Sequence, residues 1–352
     1  MKIAILGMNK IKYMPYIQIY LQALKNKDVE IHVLNWNRDL TSEPQFDNIE
    51  IYSYEKYQEN DVPKIKKIKN FVGYRIFLLQ KIKKEKYNKI ICLHSLTALL
   101  IFPYLTNKYK KRFILDFRDL TFEKNKLYAK LIKYICKNAE VVLSSSEGFL
   151  PYLTNNAVIV HNTSSYDVTY KNKPRNKTIK IAFWGFIRQI EYNKRLISLF
   201  GNDENFELYY YGIIQNSALE LLDFVKEKKY TNIYFMGGYT PDEIEKYAAE
   251  VDFIDNMYEP DFTMKGATSN KYYDGIKFAV PQICQKGTIM GELIESKKLG
   301  LTLDVDNFDK QQIIRFYNEI NYEEFVKNCE EQMLTIREQN EKVVEIIQKF
   351  AE

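Results

Sequence analysis

Short apolar runs alternate with stretches of helical periodicity from one end of the chain to the other, the pattern of an α/β protein with parallel sheets. In the first half the runs predict strands at Lys2–Leu6, Glu30–Asn35, Lys89–Leu93, Arg112–Asp116, Val141–Ser144 and Val158–Val160. Helical patterns fill the gaps, over 64–86 and 124–138 among others. The rhythm breaks at "HNTSSYDVTYKNKPRNKTIK" (161–180), a polar stretch with a proline that reads as a linker. It then restarts at "IKIAFWG" (179–185), much as the chain begins with "MKIAILG". Further strands are predicted at Phe206–Tyr211, Asn232–Phe235, Asp252–Ile254, Pro281–Cys284 and Leu301–Leu303, with one or two long helices from about Asp309 to Phe350. "TPDE" (240–243) predicts a helix start, with Thr240 as cap, Pro241 in the first turn and Glu243 as capping-box partner.

The expected architecture is two Rossmann-like, doubly wound domains over 1–165 and 166–335, with a terminal helix at 336–352 that could cross back to the first. Ligands of such domains bind beyond the carboxyl ends of the strands, here in a cleft between two sheets. The residues just after strands are therefore the ones to weigh.

Composition changes the picture in two places. The 352 residues carry a net charge of +5, but residues 1–165 hold 27 Lys and Arg against 15 acids, leaving 24 against 31 for the remainder. A basic first half suggests an anionic partner. The charge peaks over 63–87, where nine basic residues meet only Glu85 and where Phe71, Val72, Ile76, Phe77 and Leu79 lie between the cations. Such a helix could rest on anionic lipid or simply pack on a core with a solvated Lys face. No RNA- or DNA-binding motif accompanies the charge, so nucleic acid is not the expected partner.

The four cysteines (Cys92, Cys136, Cys284, Cys329) are scattered without a C-x-x-C pair, which argues against a disulfide framework or a zinc site and for a reducing compartment. The N-terminal apolar run of about four residues is shorter than the roughly 7–15 of a signal-peptide core and reads as a strand. No window reaches the roughly 18 apolar residues of a membrane span. A cytoplasmic protein, at most peripheral to the membrane's inner face, is the expectation.

Four constellations could carry chemistry. In "SNKYYDGIKFAVP" (269–281), Ser269, Asn270 and Lys271 stand where a helix begins, and a helix start offers unpaired amides to a phosphate. Asp274, about a turn further in, could accept two hydroxyls of a ribose; equally, Ser269 could be a simple cap. In "WGFIRQIEYNKR" (184–195), Gly185 allows close backbone approach while Arg188 and Lys194 could reach a diphosphate, or be surface charges. His94 ends "KIICLHS", beside Ser95 and Thr97, where it could be a site residue or a satisfied structural histidine. "ILDFRDL" (114–120) supplies Asp116, Arg118 and Asp119, which could bind hydroxyls or form an internal salt bridge. "SSSEGF" (144–149) and His161–Asn162 follow predicted strands too. The absence of G-x-G-x-x-G after either leading strand argues against a nicotinamide enzyme. Asp304-x-Asp306 and Asp252–Asp255 lack the strand-end D-x-D context of a metal site.

Taken in order, these segments resemble retaining glycosyltransferases of the GT-B fold, family-four-like enzymes of surface-polysaccharide synthesis, over nearly the whole chain. "SNKYYDGIKFAVP" is similar to the family's Asn-Lys-x-(Tyr/Phe)-Glu-x6-Pro donor segment, which implies that Asp274 binds the nucleotide ribose and that Ser269, Asn270 and Lys271 line the donor site. "GFIR…NK" resembles the Gly-Arg…Lys element and implies Gly185, Arg188 and Lys194 at the donor diphosphate. "ICLHS" resembles the strand-end histidine that approaches the donor sugar, and "LDFRD" a recurrent Asp-x-Arg-Asp, implying His94, Arg118 and Asp119 near the reacting carbon.

The family has two Glu separated by seven residues; here the second is Asp274 and the first falls on Gly266, for which Glu259 or Asp261 could substitute. The resemblance implies a hexosyltransferase of a capsule type, with a nucleotide-sugar (most simply a UDP-sugar) as substrate, no cofactor, no metal, and a glycan acceptor on a polyprenyl diphosphate. Two other readings stay open. A sugar-nucleotide 2-epimerase would consume the nucleotide-sugar without an acceptor, and a non-catalytic binding module would bind it without turnover.

Overall fold

The computed structural model describes residues 1–43, 46, 48–58, 64–169, 176–212 and 216–352. The chain divides into two compact units, one formed by Met1–Ser164 with Glu338–Glu352 and the other by Ser165–Arg337. Part of the linker read at 161–180 (residues 170–175), and Pro63 at the head of the basic segment, lie outside the described residues.

The first unit is built on an all-parallel sheet of seven strands: β1 Lys2–Leu6, β2 Glu30–Asn37, β3 Ile49–Glu55, β4 Lys89–Leu93, β5 Phe113–Phe117, β6 Val141–Ser144 and β7 Val158–Ile159. Their order across the sheet is β3-β2-β1-β4-β5-β6-β7. The second carries six parallel strands: β8 Ile179–Trp184, β9 Phe206–Tyr211, β10 Ile233–Gly237, β11 Phe253–Asn256, β12 Gln282–Gln285 and β13 Gly300–Leu303, ordered β10-β9-β8-β11-β12-β13. Both orders reverse direction next to the leading strand, the doubly wound arrangement that opens a crevice at the strands' carboxyl ends. Both leading strands are apolar on both faces because helices cover them on either side: in β1 only Lys2 is not fully buried, and in β8 only Lys180.

Strand β3 has no counterpart in the sequence reading. Its sequence, IEIYSYE, alternates in the manner of a strand, but it forms an edge and none of its residues is fully buried, so it carries no core-like apolar run. The capping box at Thr240 is formed: Glu243 Oε2 accepts from the Thr240 backbone N–H at 2.7 Å, and the helix opens with a tight turn over Pro241–Glu243. The C-terminal pattern resolves into helices at Lys310–Glu319 and Tyr322–Phe350. Residues 338–352 belong to the first unit, where Val343, Ile347 and Phe350 join the core beside β1. There, Asn340, fully buried, accepts from the His161 N–H and donates to the carbonyls of His161 and Thr163. Among the described residues no helix is long and apolar enough to cross a membrane.

Candidate functional site

In the second unit, three adjacent strands end in glycine. Gly185 follows β8 with φ +129°, Gly212 follows β9, and Gly237 closes β10 with φ +86°. The Gly185 N–H donates to the Tyr211 carbonyl (3.0 Å) and the Gly212 N–H to that of Gly237 (2.8 Å), and a Cβ at Gly212 would run into the Gly185 oxygen. Above Gly185 and Gly237 the space is open. Only glycine permits both the left-handed backbone and a bare peptide shelf at these strand ends.

Across the switch point, helix Asn270–Lys277 begins at Ser269. Ser269 Oγ donates to Asn256 Oδ1 (2.7 Å) at the end of β11 instead of capping its own helix. Asn256 in turn donates to Gln282 Oε1 (3.0 Å), and Gln282 Nε2 to the Tyr272 carbonyl (3.0 Å). The helix start is thus pinned to the end of β11 and the start of β12. A helix start in general offers amides to anions; here the Tyr272 N–H donates to the Ser269 carbonyl (3.1 Å) and the Ser269 N–H lies 3.3 Å from Met290 Sδ.

Asp274 faces β8. Its Oδ2 accepts from Trp184 Nε1 at 2.9 Å, and Oδ1 has no protein donor among the described residues. Burial raises its carboxyl pKa, against the Trp184 hydrogen bond and the nearby Lys271 charge, which lower it. Lys271 is only 3% exposed. Its ammonium bonds the Tyr258 hydroxyl and lies 4.0 Å from the Phe183 ring centre and 4.4 Å from that of Tyr258. Asp255, beneath it on β11, is buried and its carboxyl is pushed up to about 6, with Lys271 and the Met257 N–H opposing the rise.

The two cations expected at a diphosphate are placed differently. Arg188 is exposed, its guanidinium 5.3 Å from the Phe186 ring centre. Lys194 stands on helix Ile190–Phe200 and is held by Glu191 (2.9 Å) and by Glu220. The loop that carries Arg188 is tied to the loop after β11: Gln189 Nε2 donates to the Glu259 carbonyl (3.3 Å) and the Glu259 N–H returns to Gln189 Oε1 (3.0 Å). Glu259 and Asp261 border an open cavity of about 530 Å³, together with Tyr192, Arg195, Gln285 and Asp304. Asp261 Oδ1 is engaged in a local turn through the Thr263 and Met264 N–H groups, both at 2.8 Å, whereas the Glu259 carboxylate meets only Arg195, at 3.5 Å. Among the described residues, Glu259 is therefore the less engaged of the two acids.

In the first unit, His94 follows β4 with φ +87° and caps helix Ser95–Leu100. Its Nδ1 accepts from the Leu96 N–H (3.1 Å), so the neutral ring carries its proton on Nε2, 3.8 Å from Asp119 Oδ2. Burial, together with Arg38 and Arg118, outweighs Asp116 and lowers its pKa to about 4. The group is neutral at pH 7 and presents an N–H, suited to donating to a hydroxyl rather than to taking a proton. Arg118 is 6% exposed, donates to Asp116 Oδ2 (2.6 Å) and stacks 4.3 Å from the Tyr16 ring centre; Tyr20 donates to the same carboxylate oxygen (2.6 Å). Burial works against the guanidinium's charge, but Asp116 more than compensates and holds its pKa above the usual value. Asp116 and Arg118 thus form the internal pair that the sequence left as one alternative. Arg118 Nε and Nη1 are enclosed with no protein acceptor, and Asp119 beside them is exposed.

Sequence reasoning missed Trp184 and Tyr258, and weighed Asp255 only as a metal ligand. Trp184 is one of only two tryptophans, yet nothing in its sequence neighbourhood pairs it with an acid ninety residues on.

Neither a family model nor a curated protein sequence matches the chain. Solved structures do. A sucrose-phosphate synthase from Thermosynechococcus elongatus superposes with a TM-score of 0.79 at 11% identity, covering 99% of this chain and 98% of that one. HepE of Anabaena, solved in complex with UDP-glucose, gives 0.69 at 11% identity over 99% and 100%. WaaG, a glycosyltransferase involved in lipopolysaccharide biosynthesis, gives 0.64 at 10% identity over 98% and 99%. At such identity the likeness establishes the fold, which is that of the GT-B proteins.

Proposed function

We propose that the chain is a glycosyltransferase that moves a hexose from a nucleotide-sugar, most simply a UDP-sugar, to a glycan acceptor carried on a lipid diphosphate. The observation that carries this reading is the Asp274 carboxylate: one oxygen is held by Trp184 at the end of β8, the other has no donor among the described residues, and it stands on a helix whose start is pinned by Ser269 to Asn256. A ribose diol and a pyrophosphate require that combination of acceptor and amides. The fold shared with HepE, whose structure holds UDP-glucose, supports it.

In this reading Arg188, Lys194 and the amides at 269–271 neutralise the leaving diphosphate, the electrostatic work a metal ion performs elsewhere. Lys194 exchanges two exposed carboxylate partners for the phosphates, at little cost since exposed pairs contribute little. In the first unit, which takes the acceptor in this reading, His94 offers its Nε2 proton to a hydroxyl, with Asp119 Oδ2 at 3.8 Å and Arg118 following β5. With no residue standing out as a covalent nucleophile, attack from the leaving-group face with retention of configuration is expected. Replacing Arg188 and Lys194 together by Ala lowers transfer by about 100-fold or more with an unchanged melting temperature; normal turnover of that variant would refute the assignment. Consumption of the nucleotide-sugar without acceptor would point to an epimerase instead.

The helix Lys64–Glu85 supports a lipid-linked acceptor. Ile68, Val72 and Ile76, spaced four apart, are 57%, 50% and 50% exposed on one face, with Lys69, Lys83 and Lys84 exposed along the same helix. An apolar stripe bordered by lysines suits an anionic bilayer surface. Flotation with phosphatidylglycerol vesicles at low salt should carry the protein up and lose it on Ile68→Asp/Ile76→Asp; a protein that stays at the bottom excludes docking.

A further inference from the structure

At the opposite, amino-terminal edge of the first sheet stands a second group of chemistry-bearing side chains. His32, on β2, is 1% exposed, and its Nε2 lies 2.8 Å from Glu30 Oε1 and 3.4 Å from Glu50 Oε2. The sheet dictates this meeting. Glu30 precedes His32 by two residues on the same face, and Glu50 is the register partner of His32 on β3. One ligand atom from each residue lies within 4.8 Å of the other two. On the ring's far side, Nδ1 is 2.9 Å from the Tyr87 hydroxyl. The two glutamates are more than half exposed, so the group opens to solvent on one side.

Charge balance distinguishes this group from an ordinary ion pair. Lys2 reaches both Glu30 (3.0 Å) and Glu85 (3.2 Å), while Lys81 is held over the Tyr52 ring at 3.4 Å. Three carboxylates thus face one directly paired ammonium, one imidazole and the Tyr52 hydroxyl, which donates to Glu50 Oε2. A proton on Nε2 can serve one carboxylate oxygen well, yet two converge on it from different strands. A dication can accept all three ligand atoms at once.

We propose that Glu30, His32 and Glu50 bind a divalent transition metal of the zinc class, with water completing the shell. Zinc bonds of about 2.0–2.2 Å in a tetrahedral site bring ligand atoms to roughly 3.3 Å apart; Nε2 already stands 2.8 and 3.4 Å from the two carboxylates, and these lie within 4.8 Å of each other, so rotation of the exposed Glu side chains suffices. Tyr87 accepts the Nδ1 proton and leaves the Nε2 lone pair to the metal, the outer-contact arrangement that orients ligating histidines. One nitrogen and two carboxylates favour zinc, cobalt or nickel over calcium or magnesium, which take all-oxygen shells. The sequence argument against zinc rested on cysteine spacing, and this group uses no thiol. Because β3 is an edge strand paired only to β2, the metal would clasp it to the sheet.

The test uses the full chain stripped with EDTA and titrated with zinc sulfate by calorimetry, with cobalt absorption as the readout of geometry and thermal unfolding as the readout of the clasp. Expected are one saturable site, a tetrahedral cobalt spectrum and a rise in melting temperature. Glu50→Gln, at an exposed position, should abolish all three, and Tyr87→Phe should weaken binding about 10-fold. No saturable zinc binding, zinc binding unchanged in Glu50→Gln, or tighter binding of magnesium than of zinc would each overturn the proposal.

Discussion

The carboxyl ends of the two sheets share a topology and treat buried charge in opposite ways. In the first unit the guanidinium of Arg118 is neutralised on the spot by Asp116, and His94 is kept uncharged. In the second, Lys271 is buried with its ammonium on a phenol oxygen and two aromatic faces, while Asp255 is buried and Asp274 half-buried, neither with a cation within 4 Å among the described residues. A closed ion pair has little attraction left for a ligand. Separated charges and a half-satisfied carboxylate retain it. This difference, rather than any motif, makes the second unit the side expected to grip a polar substrate.

The largest test of that contrast is Arg118→Met, which strands Asp116 in the interior and should cost about 3–5 kcal/mol in urea unfolding. Adding Asp116→Leu should restore part of it. Lys271→Met leaves no paired acid behind and should cost about 2 kcal/mol or less, the worth of its aromatic contacts. Equal losses would erase the distinction. Trp184→Phe removes the donor on Asp274 and should lower stability by about 1–3 kcal/mol, while weakening nucleotide binding in a thermal-shift series over UDP-, GDP-, ADP- and CMP-sugars.

The smallest effect lies in pH, and its sign differs between the units. His94 titrates near 4 in the folded chain, below its ordinary 6.5, so its contribution is complete above pH 6.5 and is lost as pH falls toward 4. Asp255 titrates near 6, above its ordinary 3.8, so its contribution is complete below 3.8 and is lost as pH rises through 6. Between pH 4 and 6, melting temperatures of His94→Gln should therefore rise less with pH than those of the parent, and those of Asp255→Asn more.

Most of the strands were legible because a strand covered by helices on both faces must be apolar at nearly every position, as in KIAIL and IKIAFW. Strand β3 was not, since an edge strand can carry Glu50 in an exposed place and Tyr52 and Tyr54 in half-exposed ones. Thr240 and Glu243 were readable because a capping box is a contact between residues three apart. Ser269, by contrast, reads as a cap from local sequence and spends its hydroxyl on Asn256.

The sequence alone determined where most strands and helices lie, the doubly wound class, and which glycines, cations and acids follow those strands, because each depends on periodicity or on neighbours within a few residues. Only the tertiary structure decided what those side chains meet: Trp184 on Asp274, Lys271 on Phe183 and Tyr258, Arg118 on Asp116 and Tyr16, and His32 between Glu30 and Glu50. Strand register and helix packing bring these partners together, and a pKa or a free lone pair depends on distances of a few ångströms in a low-dielectric interior that no local pattern encodes.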